Sequence, residues 1–146
     1  MKDKESEIQQ TRELMTETEA LLCTSERALF ASFQLCASDL AILKRLQKKG
    51  PKPVNQLAAK VGLTSGSMTT ATQRLRKREL ITTTRDQKDG RKVWVAISKT
   101  GKQTLKELSS EREKLLSPIF TNLSSRERQV LTGLLKKVRK ASQTKN

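Results

Sequence analysis

Between residues 54 and 97 the apolar period changes from helical to alternating, and that change constrains the fold more than any other feature. Val54, Leu57, Ala58 and Val61 predict a short amphipathic helix closed by Gly62. Thr64 opens a second helix whose Met68, Ala71, Thr72 and Leu75 face inward. Two helices joined by a tight Gly-containing turn form a helix-turn-helix pattern, although any small helical hairpin can imitate it. The next stretch adds specificity. Ile81-Thr82-Thr83-Thr84 is β-prone, and Val93, Val95 and Ile97 alternate as a strand with one buried face. The polar segment between them, Arg85 to Lys92, carries Asp89-Gly90 at its apex. A β-hairpin directly after a helix-turn-helix is a wing.

Long helices are expected on both sides. Ile8, Met15, Leu22 and Leu29 recur every seven residues, flanked by Leu14, Leu21 and Ala28, which predicts a helix over 7–34 with a narrow apolar seam. After a break at Leu35-Cys36-Ala37-Ser38, a second helix carries Leu40, Leu43 and Leu46, and Gly50-Pro51-Lys52-Pro53 ends it. Beyond the hairpin, Leu105, Leu108, Leu115, Leu116, Ile119 and Phe120 mark another long helix up to Leu123. Ser124 and Glu127 form a capping box for a final helix with Val130, Leu131, Leu134, Leu135 and Val138. The tail from Arg139 to Asn146 is expected to fray. The fold class is therefore mostly α (α+β): a winged helix-turn-helix over 36–101, with dimerisation helices over 1–35 and 102–146.

With 34% apolar and 3% aromatic residues, the core must be aliphatic and thin, which favours helices that share a core across a subunit interface. No apolar run approaches the roughly 20 residues that span a bilayer, and the charged start Lys2-Asp3-Lys4-Glu5 is unlike a signal peptide. Cys23 and Cys36 are too few for a disulfide scaffold and fit a reducing compartment, so a cytoplasmic location is expected.

Charge is strongly segregated. Residues 1–43 hold 4 basic and 8 acidic groups, whereas residues 44–102 hold 16 and 3 and residues 103–146 hold 10 and 4. Most of the net +15 thus sits in the middle third, where a polyanion with a dense charge lattice is the natural partner. The outward face of the helix after Gly62 reads Ser65, Ser67, Thr69, Thr70, Gln73 and Arg74. Such residues can bond phosphates or base edges, Gln pairing with adenine and Arg with guanine. The first acid is Glu79, at the helix's far end. The hairpin tip offers Arg85, Lys88, Arg91 and Lys92, suited to the negative potential of a narrow minor groove. Asp89, two residues before Arg91, is expected to cap the turn and hold the Arg91 guanidinium. Trp94 faces away from Val93, Val95 and Ile97, either leaning along the wing or covering a helix.

Residues 63–101, from Leu63-Thr64-Ser65-Gly66-Ser67-Met68-Thr69-Thr70-Ala71-Thr72-Gln73-Arg74-Leu75 through Asp89-Gly90-Arg91 to Ile97-Ser98-Lys99-Thr100-Gly101, resemble the MarR family of winged-helix regulators without a gap. Ser38-Asp39-Leu40-Ala41-Ile42-Leu43 and Asn55-Gln56-Leu57-Ala58 resemble that family's second and third helices. The resemblance implies a homodimer whose terminal helices interlock. It also implies recognition helices and wings that read a pseudo-palindromic operator in double-stranded DNA, usually to repress transcription. Three positions depart from the pattern: Glu79 where the family has Gly, Thr83 where it has Arg, and Ile97-Ser98 where it has Leu-Thr. A positive φ at Glu79 would be strained, or the turn there differs.

Family resemblance also implies a switch, either a small phenolic or lipophilic effector or a redox-active thiol at Cys23 or Cys36. Thirteen residues of continuous helix would set those thiols about 20 Å apart, too far for an internal disulfide. The alternative is two inert buried thiols. No cofactor is expected, and with no His and no Tyr in the chain a His-type metal site is excluded. An enzyme fits worst, because no phosphate loop, paired carboxylates or metal-ligand cluster is present. A non-specific architectural or RNA binder is the other alternative, but Phe30, Phe33, Phe120 and Trp94 offer little for base stacking.

Overall fold

The computed structural model describes residues 2–143, with side chains from Lys4 onward. In chain order the elements are α1 (Lys2–Ser32), α2 (Ala37–Lys49), β1 (Lys52–Pro53), α3 (Val54–Val61), α4 (Ser65–Lys77), β2 (Ile81–Arg85), β3 (Val93–Ile97), α5 (Lys99–Phe120) and α6 (Ser125–Gln143). This is a winged helix-turn-helix with long flanking helices, mostly helical with one small sheet. The chain divides into two compact units, residues 1–112 and 113–146.

In the first unit, α2, α3 and α4 enclose an aliphatic core with β2 and β3. Ile42, Leu43, Leu46, Leu57, Met68, Leu75, Ile81 and Val95 are fully buried, and Leu105 and Leu108 of α5 join them. The sheet is antiparallel in the order β1-β3-β2, with Ile81 opposite Ile97, Thr83 opposite Val95, and Lys52 opposite Val95 on the other edge. Strand β1 is absent from the sequence reading, which took Gly50 to Pro53 only as a stop. Pro53 lacks an N–H and so cannot occupy a central strand, but a two-residue edge strand tolerates it. Most of α1 stays outside this core: Ile8, Leu14, Met15 and Leu21 are exposed, and only Leu29, Phe30 and, just beyond the helix, Phe33 pack against it.

Three helices end on a left-handed residue. At the end of α4 the Leu80 N–H reaches the Leu75 carbonyl and the Glu79 N–H the Arg76 carbonyl. Leu80 and Leu75, both buried, supply the accompanying apolar contact. The motif needs a left-handed residue, and Glu79 takes it with φ +57°. Of the two alternatives at the family's missing Gly, the strained backbone is the one realised. Gln34 does the same after α1 with φ +53°, and Gly62 closes α3 without strain. Gly101 is required for a different reason. A Cβ there would lie 2.1 Å from the Leu80 carbonyl oxygen, so α5 approaches the β2 entry more closely than any side chain permits.

The second unit holds the end of α5 and all of α6. Its turn carries the expected capping box: the Ser124 N–H donates to Glu127 at 2.7 Å and the Glu127 N–H to Ser124 Oγ at 3.3 Å. Helix α6 runs to Gln143, so Arg139 to Gln143 are helical rather than frayed, and the rest of the expected tail lies outside the described residues. No residue of α6 is buried; Val130, Leu131, Leu134, Leu135 and Val138 all lie open. Among the described residues no helix is long and apolar enough to cross a membrane.

Candidate nucleic-acid interface

Helix α4 begins at Thr64, whose Oγ1 accepts the Ser67 N–H at 3.2 Å, and it contains no acidic residue. Met68, Ala71 and Leu75 anchor it to the core, which turns Ser65, Ser67, Thr69, Thr70 and Gln73 to solvent. The threonine hydroxyls are already engaged. Thr69 donates to the Ser65 carbonyl at 2.9 Å and Thr70 to the Gly66 carbonyl at 3.1 Å. What they present outward is an oxygen that accepts and a methyl that packs, which suits base edges better than phosphates. Among the described residues Gln73 makes no side-chain hydrogen bond, and its amide is free.

Arg74 departs from the expectation of a free base-reading side chain. Its Nη2 lies 2.5 Å from Asp39 Oδ1 and its Nε 3.2 Å from Asp39 Oδ2, while Nη2 also reaches Cys36 Sγ at 3.4 Å. Asp39 is 1% exposed, and its Oδ2 also accepts the Cys36 N–H at 3.1 Å. Burial pushes the Asp39 carboxyl up, but Arg74 and the Cys36 N–H outweigh it and hold it below the usual carboxylate range. The Arg74 guanidinium, bound to Asp39, is correspondingly held above its ordinary value. Asp39 was missed in sequence, although it shares the i, i+3, i+4, i+7 stripe with Ile42, Leu43 and Leu46. An acid on an apolar stripe is the signal of a buried pair.

The wing is braced by an acid the sequence reading passed over. Asp86 Oδ1 accepts the backbone N–H groups of Lys88 at 2.9 Å and Asp89 at 3.0 Å, and Oδ2 accepts Trp94 Nε1 at 2.9 Å. The Trp94 hydrogen bond first, and those backbone groups next, hold the Asp86 carboxyl below its ordinary range. Trp94 therefore leans along the wing. Asp89 does cap the turn, but through the Arg91 backbone N–H at 3.1 Å and not through its guanidinium. That corrects the expected Asp89–Arg91 side-chain pair: the Asx geometry directs the carboxylate at the main chain. Arg85, Lys88, Arg91 and Lys92 are all exposed, and among the described residues none of them makes an ion pair.

Away from this surface, Glu26 of α1 accepts a hydrogen bond from Arg112 of α5. Lys44 of α2 lies close by, its pKa lowered by burial and by Arg112 against the pull of Glu26. Both cysteines are free thiols, and the fold of the single chain buries neither of them. Helix α1 stops at Ser32, so Cys36 does not continue the helix that carries Cys23. No group of His, Cys, Asp and Glu side chains able to hold a metal ion occurs among the described residues.

Residues 35–93 match the MarR family profile. The HTH-type transcriptional regulator YxaD of Bacillus subtilis (strain 168), itself uncharacterized, is 30% identical over 104 residues, covering 71% of this chain and 73% of that protein. The chain belongs to the MarR family. The family comprises DNA-binding transcriptional regulators, not enzymes. Among solved structures, a MarR family protein from Bacillus stearothermophilus superposes with a TM-score of 0.83 at 19% identity, over 95% of this chain and 97% of its own. The PcaV transcriptional regulator from Streptomyces coelicolor, solved in complex with its natural ligand, gives 0.60 at 20% identity, over 86% and 91%. The matches span 65% to 73% of the length of these curated Bacillus subtilis relatives.

Proposed function

We propose that this MarR-family DNA-binding protein is a cytoplasmic homodimer that represses transcription from a pseudo-palindromic operator in double-stranded DNA. Helix α4 enters the major groove with Ser65, Ser67, Thr69, Thr70 and Gln73. The wing brings Arg85, Lys88, Arg91 and Lys92 to the flanking minor groove, with Asp89 shaping the tip. The observation that carries this reading is the acid-free α4 face beside four exposed, unpaired wing cations. Dimerisation through residues 1–35 and 102–146 is supported by apolar side chains that those helices leave open, from Ile8 and Leu21 to Leu134 and Val138.

The decisive variant is Arg91→Ala. Operator affinity falls at least tenfold and the slope of log K against log salt becomes shallower by about two, one cation per subunit. The thermal melt stays within about 0.5 kcal/mol, since Arg91 is exposed. Wild-type affinity in this variant removes the wing from the reading.

Release from the operator by a small ligand is the preferred switch. PcaV binds a natural ligand, and the half-buried Arg112 and Glu26 with the exposed Lys44 beside them place one uncompensated cation where α1, α2 and α5 supply side chains. Oxidation is the second reading, favoured by the exposed Cys36 thiol beside Arg74. Titration with an organic peroxide separates them: release that persists in Cys23→Ser/Cys36→Ser protein ends the redox reading.

A further inference from the structure

We propose that Asp39 and Arg74 are positioning residues for DNA reading: the α2 carboxylate holds the α4 guanidinium so that α4 meets the groove at one angle, on which sequence discrimination depends. This rests on α4 being the reading helix.

The pair is built as an orienting device. Both donors of one edge of the Arg74 guanidinium meet the two oxygens of Asp39, and Asp39 in turn is tied to the α2 N-terminus through the Cys36 N–H. A planar fork on a planar carboxylate fixes direction as well as distance, which an ammonium cannot do. Apolar residues of similar volume would stabilise this site as well or better, because burying charge is costly. What they would not supply is direction, since apolar packing is non-directional.

A second clamp lies one turn further on, at the residue that caps the end of α4. Arg78 donates from Nη1 to the Gln34 carbonyl at 2.7 Å and from Nη2 to the Phe33 carbonyl at 2.9 Å. Residues 74 and 78 share a helix face, so the C-terminal half of α4 is pinned twice to the 33–39 segment. The N-terminal half carries the reading side chains. With a helix radius of about 5 Å, a roll of about 20° displaces a side-chain tip by roughly 2 Å. A hydrogen bond to a base edge does not survive that displacement. The pair therefore acts on discrimination between sequences, whereas the wing cations carry the sequence-independent attraction.

The test uses the full chain and a duplex selected by the wild-type protein from a random pool. Arg74→Lys keeps the charge and loses the fork; Asp39→Asn keeps the shape and loses the charge. Each should lower the ratio of selected to random duplex affinity about tenfold or more, the scale of one mismatched base pair. Affinity for random duplex and the salt slope should stay at wild-type values, and the double variant should be no worse than the worse single variant. Additive losses, or a loss in Arg74→Lys confined to one base position while Asp39→Asn discriminates normally, would make Arg74 a direct reader and overturn the proposal. Should Asp39→Asn fail to fold, Arg74→Lys decides alone: broadened preference at several positions supports positioning, and unchanged preference refutes it. Gln73→Ala marks the other failure. If it and Ser65→Ala, Ser67→Ala, Thr69→Ala and Thr70→Ala all leave the selected sequence unchanged, α4 does not read bases, and the fault lies in that underlying reading.

Discussion

Helices α2 and α6 carry apolar residues at equally regular helical spacing, yet they meet different fates in the folded chain. The thirteen residues of α2 bury Asp39, Leu40, Ile42, Leu43 and Leu46, whereas the nineteen of α6 bury none. The periodicity is the same; what differs is the partner. Around α2, the neighbouring α3, α4 and β3 arrive within the next fifty residues to close over its stripe. Helix α6 has no such company in its own unit, although burying each of its aliphatic side chains would stabilise by roughly 1.5–3 kcal/mol. An amphipathic pattern therefore locates a face to be covered, and only the fold tells whether the cover comes from the same chain.

The comparison breaks most sharply under substitution of its two halves. Leu131→Asp with Leu135→Asp should leave the winged-domain core intact but reduce the assembly to monomers. Operator affinity then falls by about 10²- to 10⁴-fold, because two half-sites are no longer bound together. Leu57→Ala does the opposite. It removes a fully buried side chain, costs about 3 kcal/mol of stability, and leaves the association constant of the folded protein unchanged. Calorimetry at several protein concentrations, paired with sedimentation, reads both. If the α6 variant remains dimeric, the open face of α6 is solvent surface that no second chain covers.

A smaller effect tests the one charge inside the α2 stripe. The Asp39 pKa is lowered in the fold from 3.8, so its charge contributes stability that is present above pH 3.8 and lost as pH falls through the depressed value. Wild-type protein should exceed Asp39→Asn at neutral pH by about 3 kcal/mol, the low end for a broken buried pair, since Arg74 is 40% exposed. That gap should narrow as the pH of the melt is taken below 3.8. A gap that stays constant into acid would mean the carboxylate contributes by shape alone. The smallest expected effect is at Glu79, where Gly accepts φ +57° without strain; Glu79→Gly should raise stability by about 0.5–1 kcal/mol. Lower stability would show that the Glu79 side chain has a stabilising role its exposure hides.

Much of the winged domain was legible because its signals are local. Thr64 as a cap, Gly62 as a left-handed stop, and the alternation of Val93, Val95 and Ile97 each depend on a few neighbouring residues. The features missed are those set by tertiary contact. Strand β1 exists because Lys52 and Pro53 fall beside Trp94 and Val95, and nothing within Gly50 to Pro53 announces that. Arg74 read as a free cation because its partner Asp39 lies 35 residues away. Asp86 looked like an ordinary turn residue until Trp94, eight residues on, met its second oxygen. Residue types on the candidate surface could thus be read from the sequence, but which cations are free and which are committed could not.

In the proposed regulator α4 and its wing form one rigid surface, presented twice by paired chains. The most direct measurement is the mass, by sedimentation equilibrium, of the complex with a duplex selected from a random pool. Two chains per duplex, with the free protein already a dimer, is the expected result. A monomer that binds with one chain per duplex, or that is not retained on duplex even in dilute salt, would contradict it.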